Sequence, residues 1–354
     1  SYTHRNGECM RLSTVAVSRR TFGAGMAAVS AAATGLLAAC GVRESTARSR
    51  RSTRVTYLTS FGDLGRECYV HVARAKGFFA AQDLEVTVEP GAGTGPNLQA
   101  LLSGQAQFAT LDLAGAIVAR GEGVTGFVAI AAIHQLPLAA MMAVDPAITH
   151  PLDLRGRSVG LLAGAVTELL FPPWAEQAGL DPRQVEQVPL SAAELVGALV
   201  SGRVDAIGQY LVGRPLVEAA TGRPVTSFPF GDYLHDLYGN GLFTTTDLAR
   251  RDPDLCRRFR DGLLAGLSYA VAHPGEAAEI LHRVNPAADP EVAAEELRLL
   301  APYVSDGPTN PVGSLELARL ARGAALLQSI GAVPDWVEPA ELAAADLLPV
   351  GGAA

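Results

Sequence analysis

A glycine-rich segment at positions 91–97, which contains Gly93 and Thr94, is well suited to binding a small molecule. It follows an alternating apolar segment and precedes one with helical spacing, so it is expected to open a helix. Backbone N–H groups at such a helix start can bind a carboxylate, phosphate or sulfonate, or the oxygen of a neutral amide. An ordinary strand-to-helix turn explains the segment equally well. It lacks the lysine of a GxxxxGK[ST] loop, which excludes a nucleotide-binding loop of that type.

Acidic, amide and aromatic side chains follow several other apolar segments. Such groups can orient a ligand by hydrogen bonds and stack on a planar ring. The ligand contacts predicted in this way are Tyr57, Phe61, Glu67, Gly93, Thr94, Asp112, His134, Thr167, Glu168, Trp174, Tyr210 and Asn240. Many of the aromatic residues, Tyr210 included, would equally suit a core. Thr167 also fits a helix cap, and His134 fits a structural histidine.

No pattern in the sequence indicates a catalytic or metal centre. It contains no GxSxG elbow, HExxH pair, CxxC motif or carboxylate cluster. Cys68 and Cys256 lie far apart and could form a disulfide in an exported protein, or each could be a small buried apolar residue. We therefore expect no catalytic residue, no metal and no cofactor.

The predicted contacts need a framework in which strand ends meet. Residues 55–58, 84–88 and 106–111 predict strands separated by helices, and the same order recurs over residues 158–210. Residues 129–144 predict either one strand or a pair that crosses between two lobes, and a second crossing is expected near residues 228–243. The fold class is α/β with two lobes, each a mostly parallel sheet flanked by helices. The binding cleft is expected between them, at the carboxyl ends of the strands.

The predicted domain boundaries follow from these crossings. Residues 54–140 form the first part of lobe 1, residues 141–230 form lobe 2, and residues 231–354, mainly helical, return to lobe 1. Two crossings would make a hinge.

The N-terminal segment differs from the rest of the chain. It contains nine of the 28 basic residues within 54 positions, so the remainder is strongly acidic and unsuited to nucleic acid. Arg19-Arg20, an apolar run and Leu36-Leu37-Ala38-Ala39-Cys40 resemble a twin-arginine lipoprotein signal. We predict a signal over residues 1–39, a lipid anchor on Cys40 and a tether over residues 40–53. The alternative is a buried alanine-rich helix with a chance arginine pair.

Five phrases occur in order along the chain: ARAKGFF from Ala73, LSGQAQF from Leu102, PLDLRGRSVG from Pro151, LVSGRVDA from Leu199 and YGNGLF from Tyr238. Together they resemble the solute-binding proteins that include the thiamine-pyrimidine-precursor binders and, more distantly, the nitrate, taurine and alkanesulfonate binders. The resemblance implies a type II-like periplasmic-binding-protein fold. It also implies an extracytoplasmic protein that delivers a small molecule to an ABC importer permease. Together with the predicted lipid anchor on Cys40, the chain is expected to be a monomeric lipoprotein. A thiamine pyrimidine precursor is the expected ligand, with riboflavin or a sulfonate- or nitrate-type anion as alternatives.

One branch of this family is a fungal pyrimidine synthase, so an enzyme is the competing hypothesis. Its chemistry on pyridoxal phosphate needs a lysine that forms a Schiff base. Lys76 is the only lysine here and belongs to the first phrase, away from the predicted cleft. The cysteine-rich stretch of that branch is also missing at residues 236–241. The sequence therefore favours a binding protein.

Overall fold

The computed structural model describes residues 52–305, 311–334 and 336–349. The predicted signal with Arg19-Arg20, the lipid site Cys40 and most of the tether lie outside the described residues.

Twelve strands occur in the described part of the chain. They are β1 (Thr53–Leu58), β2 (Phe61–Gly62), β3 (Leu84–Glu89), β4 (Gly91–Ala92), β5 (Phe108–Asp112), β6 (Phe127–Ala132), β7 (Ala139–Ala143), β8 (Ser158–Leu162), β9 (Glu186–Leu190), β10 (Ala206–Tyr210), β11 (Thr226–Pro229) and β12 (Asn240–Thr245).

Twelve α-helices alternate with these strands and then follow them. They are α1 (Tyr69–Ala75), α2 (Thr94–Leu102), α3 (Leu113–Gly121), α4 (Val166–Gln177), α5 (Leu195–Val200), α6 (Arg214–Thr221), α7 (Thr246–Arg251), α8 (Pro253–Ala272), α9 (Pro274–Val284), α10 (Pro290–Val304), α11 (Leu317–Ser329) and α12 (Pro339–Leu342). None of the helices in the described ranges combines the length and the apolar composition needed to cross a bilayer.

Ten of these strands form two five-stranded sheets, one in each lobe, and the short strands β2 and β4 pair with each other. The order is β3-β1-β5-β12-β6 in the first lobe and β11-β7-β10-β8-β9 in the second. In each sheet a single strand runs against the other four: β12 in the first and β7 in the second. Each of these reversed strands is the one that arrives from the other lobe. The predicted α/β fold with two mostly parallel sheets is confirmed.

The chain passes between the two sheets twice. The first connection joins β6 to β7, and the second joins β11 to β12. Helices α4 to α6 pack on the second sheet, whereas α7 to α12 pack on the first lobe, and α10 also contacts α6. The stretch 129–144 therefore contains parts of two strands in different sheets, not one continuous strand.

The first helix shows how local sequence shapes this framework. Gly77, the second residue after the end of α1, has a φ of +77°, a left-handed conformation that glycine adopts at little cost. The turn lets the Phe78 N–H donate to the Ala73 carbonyl and returns Phe79 to the core. The ARAKGFF phrase is thus a helix end.

Each lobe has an aromatic centre. In the first, Phe108 of β5 stacks on Phe259 of α8 with ring centroids 4.0 Å apart. In the second, Trp174 of α4 stacks on Phe230 at 4.8 Å. Cys68 and Cys256 are both free and buried in the first-lobe core, so they act as small apolar residues rather than as a disulfide.

Candidate functional site

A small cavity lies where strand ends of the two lobes face each other. Its lining comes mainly from the first lobe, with Tyr210 at the end of β10 contributed by the second and Leu138 by the first connection between the lobes. The enclosed space is about 40 Å³. The lining residues are Ser60, Phe61, Arg66, Gly93, Thr94, Thr110, Asp112, Leu138, Tyr210 and Asn240.

Asn97 of α2 holds the first-lobe wall of the cavity together. Its side-chain oxygen accepts from the Ala92 N–H at 2.9 Å, and its nitrogen donates to the Thr59 carbonyl at 2.8 Å and to the Thr110 carbonyl at 3.1 Å. One buried amide therefore fastens the ends of β1 and β5 to the glycine-rich segment. Gly91 makes this possible, because a Cβ there would lie 1.8 Å from the Thr59 carbonyl oxygen.

The glycine-rich segment then turns into α2. Gly93 precedes the helix with a φ of +98°, and Thr94 begins it. The Thr94 hydroxyl accepts from the Asp112 N–H at 3.1 Å, which ties the helix start to the end of β5. The segment thus places both Gly93 and Thr94 at the cavity.

Arg66 lies in a short 3-10 turn, Gly65–Glu67, that follows the first strand. Glu296 of α10 accepts from the Arg66 backbone N–H at 3.0 Å and so fixes this turn. The side chain reaches across to the second lobe, where its guanidinium carbon lies 5.3 Å from the centre of the Tyr210 ring. The turn therefore aims a cation into the cavity.

Glu67 lies behind Arg66, and its carboxylate is hydrogen-bonded to other residues of the protein. Its carboxylate accepts from the Ser60 N–H at 3.2 Å, from the Ser60 hydroxyl and from the Tyr69 hydroxyl at 3.3 Å. Burial raises the pKa of Glu67, and the Arg66 charge opposes this rise. Its role is to position Ser60, which lines the cavity.

Asp112 ends β5 opposite Asn240 of β12. One of its oxygens accepts from the Gly115 N–H at 3.0 Å, which caps α3. Burial raises the pKa of Asp112 to about 7, although hydrogen bonds from the Gly115 and Ala114 backbone N–H groups lower it. Burial, followed by the nearby Asp112 charge, raises the pKa of Tyr210 to about 12, so its hydroxyl stays protonated.

His134 lies behind Asn240 rather than at the cavity. Its Nδ1 accepts from the Asn240 N–H at 3.4 Å, and its carbonyl accepts from the Gly239 N–H at 3.2 Å. Burial, followed by the Arg66 charge, lowers the pKa of His134 to about 3, so the ring is neutral. In the described part of the chain its Nε2 has no hydrogen-bond partner.

Half of the predicted contact residues line the cavity. These are Phe61, Gly93, Thr94, Asp112, Tyr210 and Asn240. Tyr57 is fully buried directly behind them, and its hydroxyl bonds to that of Thr110 at 2.8 Å. Tyr57, Glu67 and His134 therefore support the wall rather than form it.

Three predicted contacts belong elsewhere in the second lobe. Trp174 is fully buried against Phe230, so it is a core residue and not a cavity residue. Thr167 is buried against β10, and Glu168 accepts from the Gly164 N–H at 2.6 Å in the turn before α4. Thr167 therefore packs in the second lobe, and Glu168 serves the turn that begins α4.

Four lining residues were not predicted: Ser60, Arg66, Thr110 and Leu138. Arg66 was the most accessible to sequence reasoning, because it is one of few basic residues near a predicted strand end. In the sequence alone, the adjacent acid Glu67 could equally be its partner in an ion pair. The Arg66 Nε lies 3.7 Å from the Glu67 Oε1, and the guanidinium lines the cavity.

Residues 68–277 match the family described as NMT1/THI5 like, which is more than half of the chain. The chain belongs to this family. The resemblance drawn from the five sequence phrases is thereby confirmed. The matched residues extend over both lobes, from the start of α1 into α9.

The chain is also similar to individual proteins of known binding role. The NMT1/THI5 like chain is 25% identical over 222 residues to the riboflavin-binding protein RibY of Chloroflexus aurantiacus, covering 59% of this chain and 60% of RibY. The match thus spans less than two thirds of that relative.

Solved structures show how widely the fold is shared. The periplasmic aliphatic sulphonate binding protein SsuA of Escherichia coli is 16% identical with a TM-score of 0.66, over 83% of this chain and 98% of SsuA. The desulfurization enzyme DszB is 18% identical with a TM-score of 0.57, over 83% of this chain and 97% of DszB. Binding proteins and an enzyme therefore share this fold.

Proposed function

We propose that this chain is the extracytoplasmic solute-binding protein of an ABC importer and captures a small planar heterocycle between its lobes. The observation that carries the proposal is the composition of the cavity. Tyr210 from the second lobe faces Arg66 and Asp112 from the first, at the strand ends where open α/β sheets bind ligands. Closing two lobes on a ligand gives contacts from both sides that neither lobe supplies alone.

The cavity favours a ring over a small anion. Tyr210 and Phe61 provide aromatic surface, and Thr94, Asn240 and Ser60 provide hydrogen bonds around it. Nitrate or a sulfonate would gain from Arg66 but would lie near the Asp112 carboxylate, which repels it when ionised.

Two rings are the leading candidates. A thiamine pyrimidine precursor follows from the family resemblance and is our first choice. Riboflavin is the second, supported by the similarity to RibY. Both contain a planar ring with several nitrogen and oxygen hydrogen-bonding groups.

A binding role is favoured over catalysis by the position of Lys76. Its ammonium pairs with Glu276 at 2.8 Å and lies 4.4 Å from the centre of the Tyr269 ring, among first-lobe helices and away from the cavity lining. It cannot form a Schiff base with a cofactor in the cleft without leaving both partners. We therefore propose that the chain is not an enzyme and needs no cofactor.

The proposal includes export and attachment. The chain would cross the membrane by its twin-arginine signal, keep a lipid on Cys40 and remain on the outer face of the cell membrane as a monomer. The permease of the importer would be its protein partner.

Thermal unfolding of the mature domain against a ligand panel tests the binding role. The panel contains a formylated aminopyrimidine, riboflavin, nucleobases, taurine, alkanesulfonates and nitrate. A ligand at one hundred times its dissociation constant stabilises the folded state by about 2.7 kcal/mol. A response to ring compounds alone supports the proposal; a response to anions alone, or to nothing in the panel, contradicts it.

A further inference from the structure

Two buried side chains of opposite charge face the same cavity without pairing. Arg66 is 7% exposed and Asp112 is 7% exposed. Across the described ranges the ion-pair contact of the Arg66 guanidinium is Glu67, at 3.7 Å, which is too long for a hydrogen bond. The donors to the Asp112 carboxylate are the backbone amides of Gly115 and Ala114.

This arrangement leaves hydrogen-bonding capacity directed at the cavity. An arginine carries five N–H donors in a fixed planar fork, and a carboxylate has about four lone-pair sites. Buried charged groups normally satisfy these sites, because leaving them unpaired in a low-dielectric space is unfavourable. Arg66 keeps donor capacity and Asp112 keeps acceptor capacity beyond these contacts, and this remaining capacity is complementary to a ligand with the opposite pair.

We infer that Arg66 and Asp112 are the specificity-determining residues of the cleft and that its ligand is a net-neutral ring with a carbonyl-type acceptor for Arg66 and an N–H donor for Asp112. The inference rests on the proposed binding function and narrows its ligand class. It rejects simple anions, and it rejects rings whose donor nitrogen is alkylated.

Because of the charged groups around Asp112, ligand affinity is expected to depend on pH. The other titratable groups that line the cavity are Arg66 and Tyr210, and Tyr210 stays protonated well above neutral pH. Behind the wall lie Glu67, also with a raised pKa, and His134, neutral above about pH 3. Thr94 and Asn240, which contact or face Asp112 from α2 and β12, do not titrate. Asp112, with a pKa of about 7, is thus the lining group that changes charge near neutrality.

The sign of the pH effect separates ligand classes. A ligand that donates an N–H to the Asp112 carboxylate stabilises the ionised form and lowers its pKa in the complex. Its dissociation constant must then rise as pH falls below about 7, by up to about tenfold per pH unit. An anion would show the reverse, since protonating Asp112 removes a repulsion.

Calorimetry from about pH 5.5 to about pH 8.5 tests this on the wild-type protein. The probes are the ring that binds and its N-methylated analogue with no N–H left on that nitrogen: riboflavin with 3-methylriboflavin, or the formylated aminopyrimidine with its dimethylamino derivative. We expect affinity to fall on acidification and the methylated analogue to bind at least about tenfold more weakly, as expected when one buried hydrogen bond to a charged group is lost. A ring that binds with pH-independent affinity, or equally well when methylated, overturns the inference and leaves the binding function intact.

Single substitutions show which residue causes the pH dependence of the dissociation constant. Asp112→Asn is expected to flatten the pH profile, whereas Glu67→Gln keeps its slope. Arg66→Gln is expected to weaken the carbonyl-bearing ring while retaining the slope. Asp254→Asn, which replaces an exposed acid paired with Arg258, serves as the matched control with unchanged binding. A slope that survives in Asp112→Asn contradicts the assignment; if that variant does not fold, the wild-type profile and the methylated probe still decide.

Discussion

The guanidinium of Arg66 lies over the ring of Tyr210, 5.3 Å from its centre, and this contact joins the two lobes across the cavity. Arg66 belongs to a turn after β1, whereas Tyr210 ends β10 of the other sheet. A cation over an aromatic face is attracted by the ring electrons. If the lobes open as proposed, this contact breaks, and a bound ring would take its place.

Tyr210 should contribute its ring to ligand binding. Tyr210→Ala is expected to weaken binding of a ring ligand by about 1–3 kcal/mol, the range for loss of a buried aromatic contact. Tyr210→Phe keeps the ring and should lose less. Titration calorimetry measures both. Tyr269→Ala, in α8 and away from the cavity lining, is the control, and an equal loss in that variant would show that the effect is not local.

The lobes should separate before a ring enters. The enclosed space is about 40 Å³, whereas pockets for ring-sized ligands hold about 300–1,000 Å³. We expect solution scattering to give a larger radius of gyration without ligand than with a saturating one. Identical radii in the two states would contradict hinge motion.

Arg319 of α11 should hold the hinge. Its guanidinium donates to the carbonyls of Gln135 in the first connection and of Leu237 and His235 in the second, and it lies 4.0 Å from the centre of the Tyr238 ring. One first-lobe side chain thus fastens both connections to that lobe. Bending is therefore expected beyond these carbonyls, at residues 136–137 and 233–234.

Hydrogen exchange checks this prediction. Arg319→Ala should speed amide exchange in both connections and destabilise the protein by about 1–3 kcal/mol, because buried carbonyls lose their donor. Arg298→Ala, an exposed arginine of α10 paired with Glu295, is the control. Unchanged exchange in the connections would rule out the role given to Arg319.

The two tryptophans should differ in their effect on stability. Trp174→Ala removes a ring buried in the second-lobe core and is expected to cost about 3–5 kcal/mol of unfolding free energy. Trp336→Ala removes a side chain that is 52% exposed and should cost much less. Denaturant unfolding compares them. If Trp174→Ala reduced ligand affinity without loss of stability, its place in the core would be in question.

Cys40 should be the point of membrane attachment. Cys40→Ala is expected to move the protein from the membrane to the soluble fraction, because the proposed lipid would be attached to that thiol. Cys9→Ala is the matched control and should remain at the membrane. Membrane retention of Cys40→Ala would show that the protein is held in another way.

Much of the site followed from local sequence. Asp112 and Tyr210 each end an apolar segment, and Gly93 and Thr94 begin a helix after one. In a sheet of mostly parallel strands these ends meet at one edge, so position along the chain was enough to bring Asp112 and Thr94 together. The two-lobed fold followed in the same way, from the repeated alternation of strands and helices.

The direction of each side chain depended on the tertiary structure. Trp174 and Thr167 lie on a helix whose rotation about its axis turns them toward the second-lobe core, and periodicity in one short helix does not fix that rotation. Arg66 has an acid beside it in sequence, yet its guanidinium reaches Tyr210, 144 positions further along the chain. Only the approach of the two lobes creates that contact, because it depends on how separate sheets pack and not on the order of residues within either.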